Sequence, residues 1–311
     1  MKNILIIGSN GYIGSGLAKE LTGLKKYYIT GVDACWYNSP NEYTQFTTDY
    51  KNLTTEFLNK YDVVILLAGH SSVKMCECNL INSHKNNVDN FVELVNKLNT
   101  KTKFIYASSA SVYGKSTNIV DETYKEFVPY NNYDITKYII DLYIERFDIE
   151  YYGLRFGTVN GYAPVVRTDV MINSMYSSAV YNKEIKLYIK NIMRPILGIR
   201  DLVRAIDAII DSNTDHRGLY NLASFNKTAE EIAYGVSKKL GIKITEYVLS
   251  PRQDVVNSKL ETTCYDFKID TTKFQKTFNF TFEETIDTIV DSLQNNMYLE
   301  TVRNNVITYA S

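Results

Sequence analysis

Gly8-Ser9-Asn10-Gly11-Tyr12-Ile13-Gly14 decides the fold. It joins an apolar run, Asn3–Ile7, to a helical stretch, Tyr12–Leu24. Glycine at these spacings permits a tight turn, lets backbone approach a pyrophosphate, and lets helix and strand pack closely. The helix N-terminus then offers unpaired N–H groups and positive partial charge to the phosphates. Three glycines alone also suit an ordinary turn. Asp33 weighs against that reading: it ends the second apolar run, 19 residues after Gly14, where a carboxylate holds the adenosine ribose hydroxyls. No Arg or Lys lies between residues 33 and 41 to meet a 2′-phosphate, so the expected dinucleotide is NAD rather than NADP. Asp49-Tyr50, after a third short run at Gln45–Thr47, reads either as an adenine contact or as a surface-loop pair.

Outward from this loop the chain keeps alternating. Asp62–Ala68 and Lys103–Ala107 are almost wholly apolar, as strands covered on both faces must be. Leu80–Leu98 between them has helical length, with apolar residues at 88, 91, 92, 95 and 98. A helix over Asp134–Phe147 and a run Tyr151–Phe156 follow. This rhythm predicts an α/β fold: a doubly wound parallel Rossmann sheet with right-handed crossovers. After Gly161 the pattern becomes mixed, with helices expected at Asp169–Tyr181 and Asp201–Asp211 and short strands at Ile185–Ile189 and Gly218–Leu222. Thr228 and Glu231 form a capping-box signature for a helix to Leu240, and a last helix is expected from Phe282 to about Leu293. The expected organisation is a dinucleotide-binding domain over 1–160 with a return segment near 196–223, and a smaller α+β lobe from 161–195 and 224–311.

Composition narrows the class. The chain has 311 residues, 45% hydrophobic and 22% charged, enough to bury a core. Lys+Arg 34 against Asp+Glu 35 leaves a net charge of -1, which provides no basic field for nucleic acid. Four cysteines make no disulfide framework, and three histidines without ligand spacing make no metal site. No run reaches the ~18 apolar residues of a membrane span. Only four strong hydrophobes precede Gly8, too few for a signal peptide, so a cytoplasmic location is expected.

Tyr133-Asp134-Ile135-Thr136-Lys137 puts a Tyr and a Lys four apart, on one helix face. An ammonium beside a phenol favours phenolate and lowers its pKa from ~10. Such a Tyr takes a proton from a substrate hydroxyl while hydride leaves the same carbon. Ser108-Ser109-Ala110-Ser111-Val112-Tyr113-Gly114 stands at the carboxyl end of the fifth run, where open parallel sheets place their chemistry. A Ser hydroxyl there orients the reacting oxygen.

Taken together, these motifs resemble the extended short-chain dehydrogenases/reductases of the nucleotide-sugar epimerase/dehydratase family: the glycine loop, Leu66-Leu67-Ala68-Gly69, Asn87, the Ser109 loop, and Tyr133 with Lys137. The resemblance implies Ser109 as catalytic hydroxyl, Tyr133 as acid/base, and Lys137 as the residue that tunes Tyr133 and holds the nicotinamide ribose. It implies NAD contacts at Gly8, Gly11, Tyr12, Ile13, Gly14, Asp33, Asp49, Tyr50, Leu67, Ala68, Gly69 and Asn87. It also implies a nucleotide-diphosphate sugar held by Ser109, Ser111, Thr158, Arg167, Asn173, Arg194 and Arg252. Arg194 and Arg252 are the expected diphosphate clamps, since a guanidinium fork suits phosphate oxygens. Thr158 stands where the sugar epimerases usually have Asn. The family further implies a homodimer through Leu80–Leu98 and Asp134–Phe147, for which Ile139, Ile140 and Ile144 are the expected apolar surface.

The Ser109 loop also sorts the reactions. Resembling 4,6-dehydratases place an Asp-Glu pair directly after the catalytic hydroxyl residue; here those positions are Ala110 and Ser111. The expected chemistry is therefore oxidation at C4 of the sugar, either followed by re-reduction on the other face (a 4-epimerase) or running as a 4-dehydrogenase or 4-ketoreductase on a hexose or heptose. A dehydratase, or an NAD-sensing protein without catalysis, is the more distant alternative.

Overall fold

The computed structural model describes residues 1–114, 116, 118–247 and 265–297. The strands are β1 (Lys2–Ile7), β2 (Tyr27–Asp33), β3 (Phe46–Thr47), β4 (Val63–Leu66), β5 (Lys103–Ser109), β6 (Ile119–Val120) and β7 (Glu150–Phe156). Then come β8 (Thr158–Asn160), β9 (Ile185–Leu187), β10 (Met193–Gly198), β11 (Gly218–Leu222), β12 (Phe225–Thr228), β13 (Ile244–Glu246) and β14 (Lys268–Ile269). The helices used below are α1 (Tyr12–Gly23), α2 (Thr55–Leu58), α3 (Val73–Cys78), α4 (Leu80–His84), α5 (Asn90–Lys97), α6 (Asn132–Ile144) and α7 (Met171–Asn182). They continue with α8 (Ile199–Asp211), α9 (Ala229–Leu240), α10 (Thr272–Phe278) and α11 (Ile286–Asn296).

Seven described strands form one sheet in the order β11-β7-β5-β4-β1-β2-β3, parallel at every pairing. The chain leaves β1 toward β2 and β3, then crosses back to β4, so a crevice opens above the carboxyl ends of β1 and β4. Both faces are covered. One core packs Ile4, Ile6, Val63, Ile65 and Ile105 against α1 and α8; the other packs Leu5, Ile7, Val64, Leu66 and Phe104 against α5 and α6. Alternate residues of β1 and β4 thus point into different cores, which is why these strands read as continuous apolar runs.

Three further described sheets are small: β12-β10-β8, β13-β9 and β14-β6. A third core, built on Ile172, Ile232, Ile289 and Val290, joins α7, α9 and α11. No described helix is long and apolar enough to cross a membrane.

Several boundaries differ from expectation for local reasons. The last helix starts at Ile286 rather than Phe282, because the Thr285 hydroxyl accepts from the Thr288 N–H and closes a capping box there. Thr228 does the same for α9 with Glu231, as the sequence anticipates. Between α4 and α5 the helix widens into a π turn, Lys85–Asp89, which carries Asn86 and Asn87. On α6, Ile140 and Ile144 are buried in the core and Ile139 packs against it. These three do not form an exposed face; the exposed apolar residues of α6 are Ile135, Leu142 and Tyr143.

Candidate functional site

The glycine loop lies over the crevice. Gly8 has φ +96, and a Cβ there would come within 2.6 Å of the Ala68 nitrogen. A Cβ at Gly14 would strike the Gly8 carbonyl at 1.9 Å. The first position therefore requires glycine for backbone conformation and the second for close approach. Helix α1 begins with Gly11 as N-cap, with no side-chain cap and no acidic residue in its first turn, so its terminal N–H groups face the crevice unopposed by negative charge. A cavity here is lined by Gly8, Gly11, Tyr12, Ile13, Gly14, Asp33, Asp49, Tyr50, Leu67, Ala68 and Gly69. Asp33 accepts from the Asn10 and Cys35 N–H groups at 2.9 and 2.7 Å; burial raises its pKa, and these two bonds pull it back down. The uncapped N-terminus, the glycine cradle and the carboxylate at the end of β2 fit a dinucleotide with a free ribose diol.

Two expected cofactor contacts differ in character. Tyr50 is buried and donates its hydroxyl to the Asn86 carbonyl, so only part of its ring reaches the cavity. Asn87 stands behind the wall: its amide donates to the His70 carbonyl and Thr136 Oγ1, and its oxygen accepts from the His70 N–H at 2.8 Å. It ties the loop after β4 to α6.

A second cavity, about 660 Å³, adjoins the first and shares Tyr12, Ile13, Leu67, Ala68, Gly69, Ser71 and Arg167 with it. Ser109, Tyr133 and Lys137 meet on its wall, with Ser111, Thr158 and Arg194 around them. Ser109 is the last residue of β5 and accepts from the Ser111 N–H, which starts a 3₁₀ turn and aims the hydroxyl outward. Tyr133 and Lys137 come from α6, whose N-cap Asn131 accepts from the Asp134 N–H. Behind them a buried network fixes strand and helix together. Asp141 of α6 accepts from Tyr106, Ser108 and Arg155 at 2.8, 2.9 and 2.9 Å, and Arg155 also reaches Tyr113.

The electrostatics of the trio depart from the expectation. Burial pushes the Tyr133 phenol up to about 12, while hydrogen bonding from Ser109 acts against the rise. Lys137 does not offset it: its ammonium donates to the Ala107 carbonyl at 2.8 Å, lies 5.9 Å from the Tyr133 ring centre, and is itself pushed down to about 8 by desolvation. The buried ammonium serves a backbone carbonyl and gives the phenol little charge stabilisation.

The remaining expected substrate residues separate. Arg194 donates to Thr158 Oγ1 at 3.3 Å, and its guanidinium lies 5.7 Å from the Tyr265 ring centre. Arg167 pairs with Asp169 through two nitrogens, at 2.6 and 3.1 Å, and stands where the two cavities meet. Asn173 does not reach the cavity wall: it is fully buried, with its amide donating to Tyr12, Gly161 and Arg167 and its oxygen accepting from the Gly161 N–H. Arg252 lies outside the described residues. The cavities also include residues the sequence reading passed over. Trp36 and Tyr37 line the dinucleotide cavity; Lys74, Tyr265 and Phe267 line the other. Trp36 follows Asp33 by three residues, so its place was open to inference, whereas Tyr265 arrives from 132 residues beyond Tyr133 with no local signal.

Comparison with known proteins gives a consistent result. Residues 4–223 match the model of the NAD dependent epimerase/dehydratase family. Protein CapI of Staphylococcus aureus is 30% identical over 241 residues, covering 67% of this chain and 69% of its own. Two solved structures share the fold. A UDP-glucuronic acid 4-epimerase from Bacillus cereus, in complex with UDP-glucuronic acid and NAD, has TM-score 0.77 at 21% identity, covering 93% of this chain and 97% of that one. An NAD-dependent NDP-hexosamine 5,6-dehydratase, TunA, has TM-score 0.80 at 18% identity, covering 96% and 100%. With its glycine cradle, Asp33 and the Ser109–Tyr133–Lys137 wall, the chain belongs to the NAD-dependent nucleotide-sugar epimerase/dehydratase family of enzymes and uses NAD as its cofactor.

Proposed function

We propose that the protein is a 4-epimerase: it oxidises C4 of a nucleotide-diphosphate sugar to a transient ketone and reduces that ketone on the opposite face. One observation carries the choice among the family's reactions. Asp169 is the sole carboxylate among the described residues lining the sugar cavity, and Arg167 holds it in a bidentate pair. Elimination of water needs a free acid or base beside C5 and C6. The two positions after Ser109 offer a buried methyl, Ala110, and a hydroxyl already bonded to Ser109.

Bound NAD supplies the two-electron acceptor. Ser109 and Tyr133 hold the C4 oxygen, and Tyr133 receives its proton as the ketone forms. Lys137 contributes a positive charge at the same wall and a donor for the cofactor ribose. Arg194 with Thr158 anchors the diphosphate, so the sugar ring turns about the phosphate bonds while the nucleotide stays in place. Binding energy from the nucleotide then retains the intermediate without fixing which face it presents.

The test is NMR of reaction mixtures with UDP-, GDP-, TDP- and CDP-sugars. We expect C4 epimers to interconvert with no net consumption of NAD. Stoichiometric NADH release with a stable 4-ketone would make the enzyme a 4-dehydrogenase, and a dehydrated sugar product would overturn the argument from the Ser109 loop.

A further inference from the structure

The glycine loop forms one wall of the dinucleotide cavity, and the chain that follows β2 forms another, which the sugar chemistry does not use. Asp33 ends β2, and Cys35 then takes φ +53, in the left-handed region, which turns the chain off the line of the strand. Ala34, Cys35, Trp36, Tyr37 and Asn38 all line the cavity. The far end of this segment is tied to the glycine loop. Asn10 Nδ2 donates to the Asn38 and Ser39 carbonyls at 3.3 and 3.1 Å, and Asn10 Oδ1 accepts from the Asn41 N–H at 3.0 Å. Asn41 Nδ2 donates in turn to the Ser9 carbonyl at 3.2 Å.

The tip of the segment, Trp36 and Tyr37, is held differently. Trp36 makes no backbone hydrogen bond among the described residues. Its ring meets that of His70 edge-on, with centres 5.2 Å apart, and the Tyr37 hydroxyl donates to Met75 Sδ at 3.8 Å. His70 follows β4 and Met75 stands on α3, whereas the segment starts from β2, and β1 lies between β2 and β4 in the sheet. Both contacts therefore bridge the crevice above the end of β1, where the glycine loop receives a pyrophosphate. Both rings are about half exposed and belong to none of the cores, so they cover the cavity without being packed into the fold. Beside them Asn38 Nδ2 is buried with no hydrogen-bond partner among the described residues. An unmade buried donor is costly, and lifting the tip returns it to water.

We propose that Trp36 and Tyr37 are further residues of the cofactor site, acting as the two clasps of a strap, residues 34–41, and that NAD enters and leaves when the clasps part. The inference needs only that NAD binds in this cavity and is independent of what happens to the sugar. Both clasps join protein to protein, so they close the strap with or without a dinucleotide beneath it. Entry and exit then wait on the same open form. Weakening a clasp raises the population of that form and speeds both steps together, which leaves the affinity almost unchanged. A side chain that only touched the cofactor would behave otherwise: its loss speeds exit alone, and affinity falls in proportion.

The experiment measures cofactor exchange and needs no sugar. Stopped-flow mixing of the cofactor-free full chain with NADH gives the association rate, and a chase of the NADH-loaded protein with excess NAD gives the dissociation rate. Trp36 is the only tryptophan in the chain, so energy transfer from it to NADH reports on the strap in the parent, and the emission of NADH itself serves for every variant. Trp36→Ala and His70→Ala should each raise both rates, roughly threefold to tenfold for the loss of one aromatic contact, with Kd within about twofold of the parent. Combining the two should go no further than either alone, because both break the same clasp. Tyr37→Ala breaks the other clasp and should speed both rates further when added to Trp36→Ala. Should Trp36→Ala fail to fold, His70→Ala reads the same clasp from its other side. Faster dissociation alone with a matching loss of affinity would make Trp36 a cofactor contact, and unchanged rates would mean that the strap does not govern exchange. Either result overturns the proposal, as would additive effects of Trp36→Ala and His70→Ala.

Discussion

Tyr133 and Asp33 carry the two residue-scale arguments of this site. Tyr133→Phe removes only the hydroxyl to which the proposed mechanism gives the proton exchange, and the ring keeps its packing. Turnover should fall roughly 10²–10⁴-fold, with NAD affinity and melting temperature close to those of the parent; turnover within tenfold of the parent would remove Tyr133 from the reaction. Asp33 is held in place by two backbone N–H groups, so its oxygens are oriented before any ligand arrives. A carboxylate there bonds a ribose diol and repels a 2′-phosphate. Asp33→Ala should therefore narrow the gap between NAD and NADP affinities in a titration, mainly by weakening NAD. A parent protein that binds NADP more tightly than NAD would contradict this role.

At the scale of elements, the junction between α8 and α11 is held by exchanged carboxylates. Glu284 accepts from the Arg200 and Asp201 N–H groups at the start of α8, while Asp201 accepts from the Glu283 and Glu284 N–H groups. Burial, with Asp201 nearby, pushes the Glu284 carboxyl up to about 7. A folded-state value above the unfolded ~4.3 means that the native protein binds the extra proton, so this contribution to stability is full at low pH and is lost as pH rises through 7. Glu284→Gln should flatten the pH dependence of the melting temperature between about 5 and 7, a window in which Glu284 accounts for up to ~3 kcal/mol. An unchanged profile would mean that the carboxyl is not the titrating group.

The same scale shows what the sequence could express. The strands of the main sheet were legible because β1, β4 and β5 are covered on both faces, and the glycine loop because its backbone tolerates no Cβ. Ser109, Tyr133 and Lys137 were legible as spacing. The environment of that trio was not: whether Lys137 faces a phenol or the Ala107 carbonyl depends on how β5 and α6 pack across a gap of some 30 positions. Asn173 shows the same limit, since an Asn near a cavity gives no sign that its amide serves three partners inside the fold. Ile139, Ile140 and Ile144 illustrate it for surfaces, because a helix lying between a sheet and a neighbouring helix has a wider buried arc than a one-sided apolar stripe.

For the whole molecule, one exposed apolar region is distinctive. Ile81 is 81% exposed and Leu80 51%, on α4; Leu142 and Tyr143 are exposed on α6, the helix against which α4 packs. Two helices presenting these side chains to water suit a second copy of the same surface, as in a two-fold interface. We expect a dimer by light scattering at micromolar concentration, and Ile81→Lys should shift it toward monomer. A monomeric parent would reject this arrangement.

The two cavities have one wall in common, from Tyr12 and Ile13 through Leu67–Gly69 to Arg167. A sugar seated in the second cavity would face the nicotinamide end of the dinucleotide across this wall. In a 4-epimerase the dinucleotide reduced in the first half-reaction is oxidised again in the second, with no net consumption. The sugar equilibrium is then set by the two epimers alone, insulated from whatever ratio of oxidised to reduced cofactor prevails around the protein.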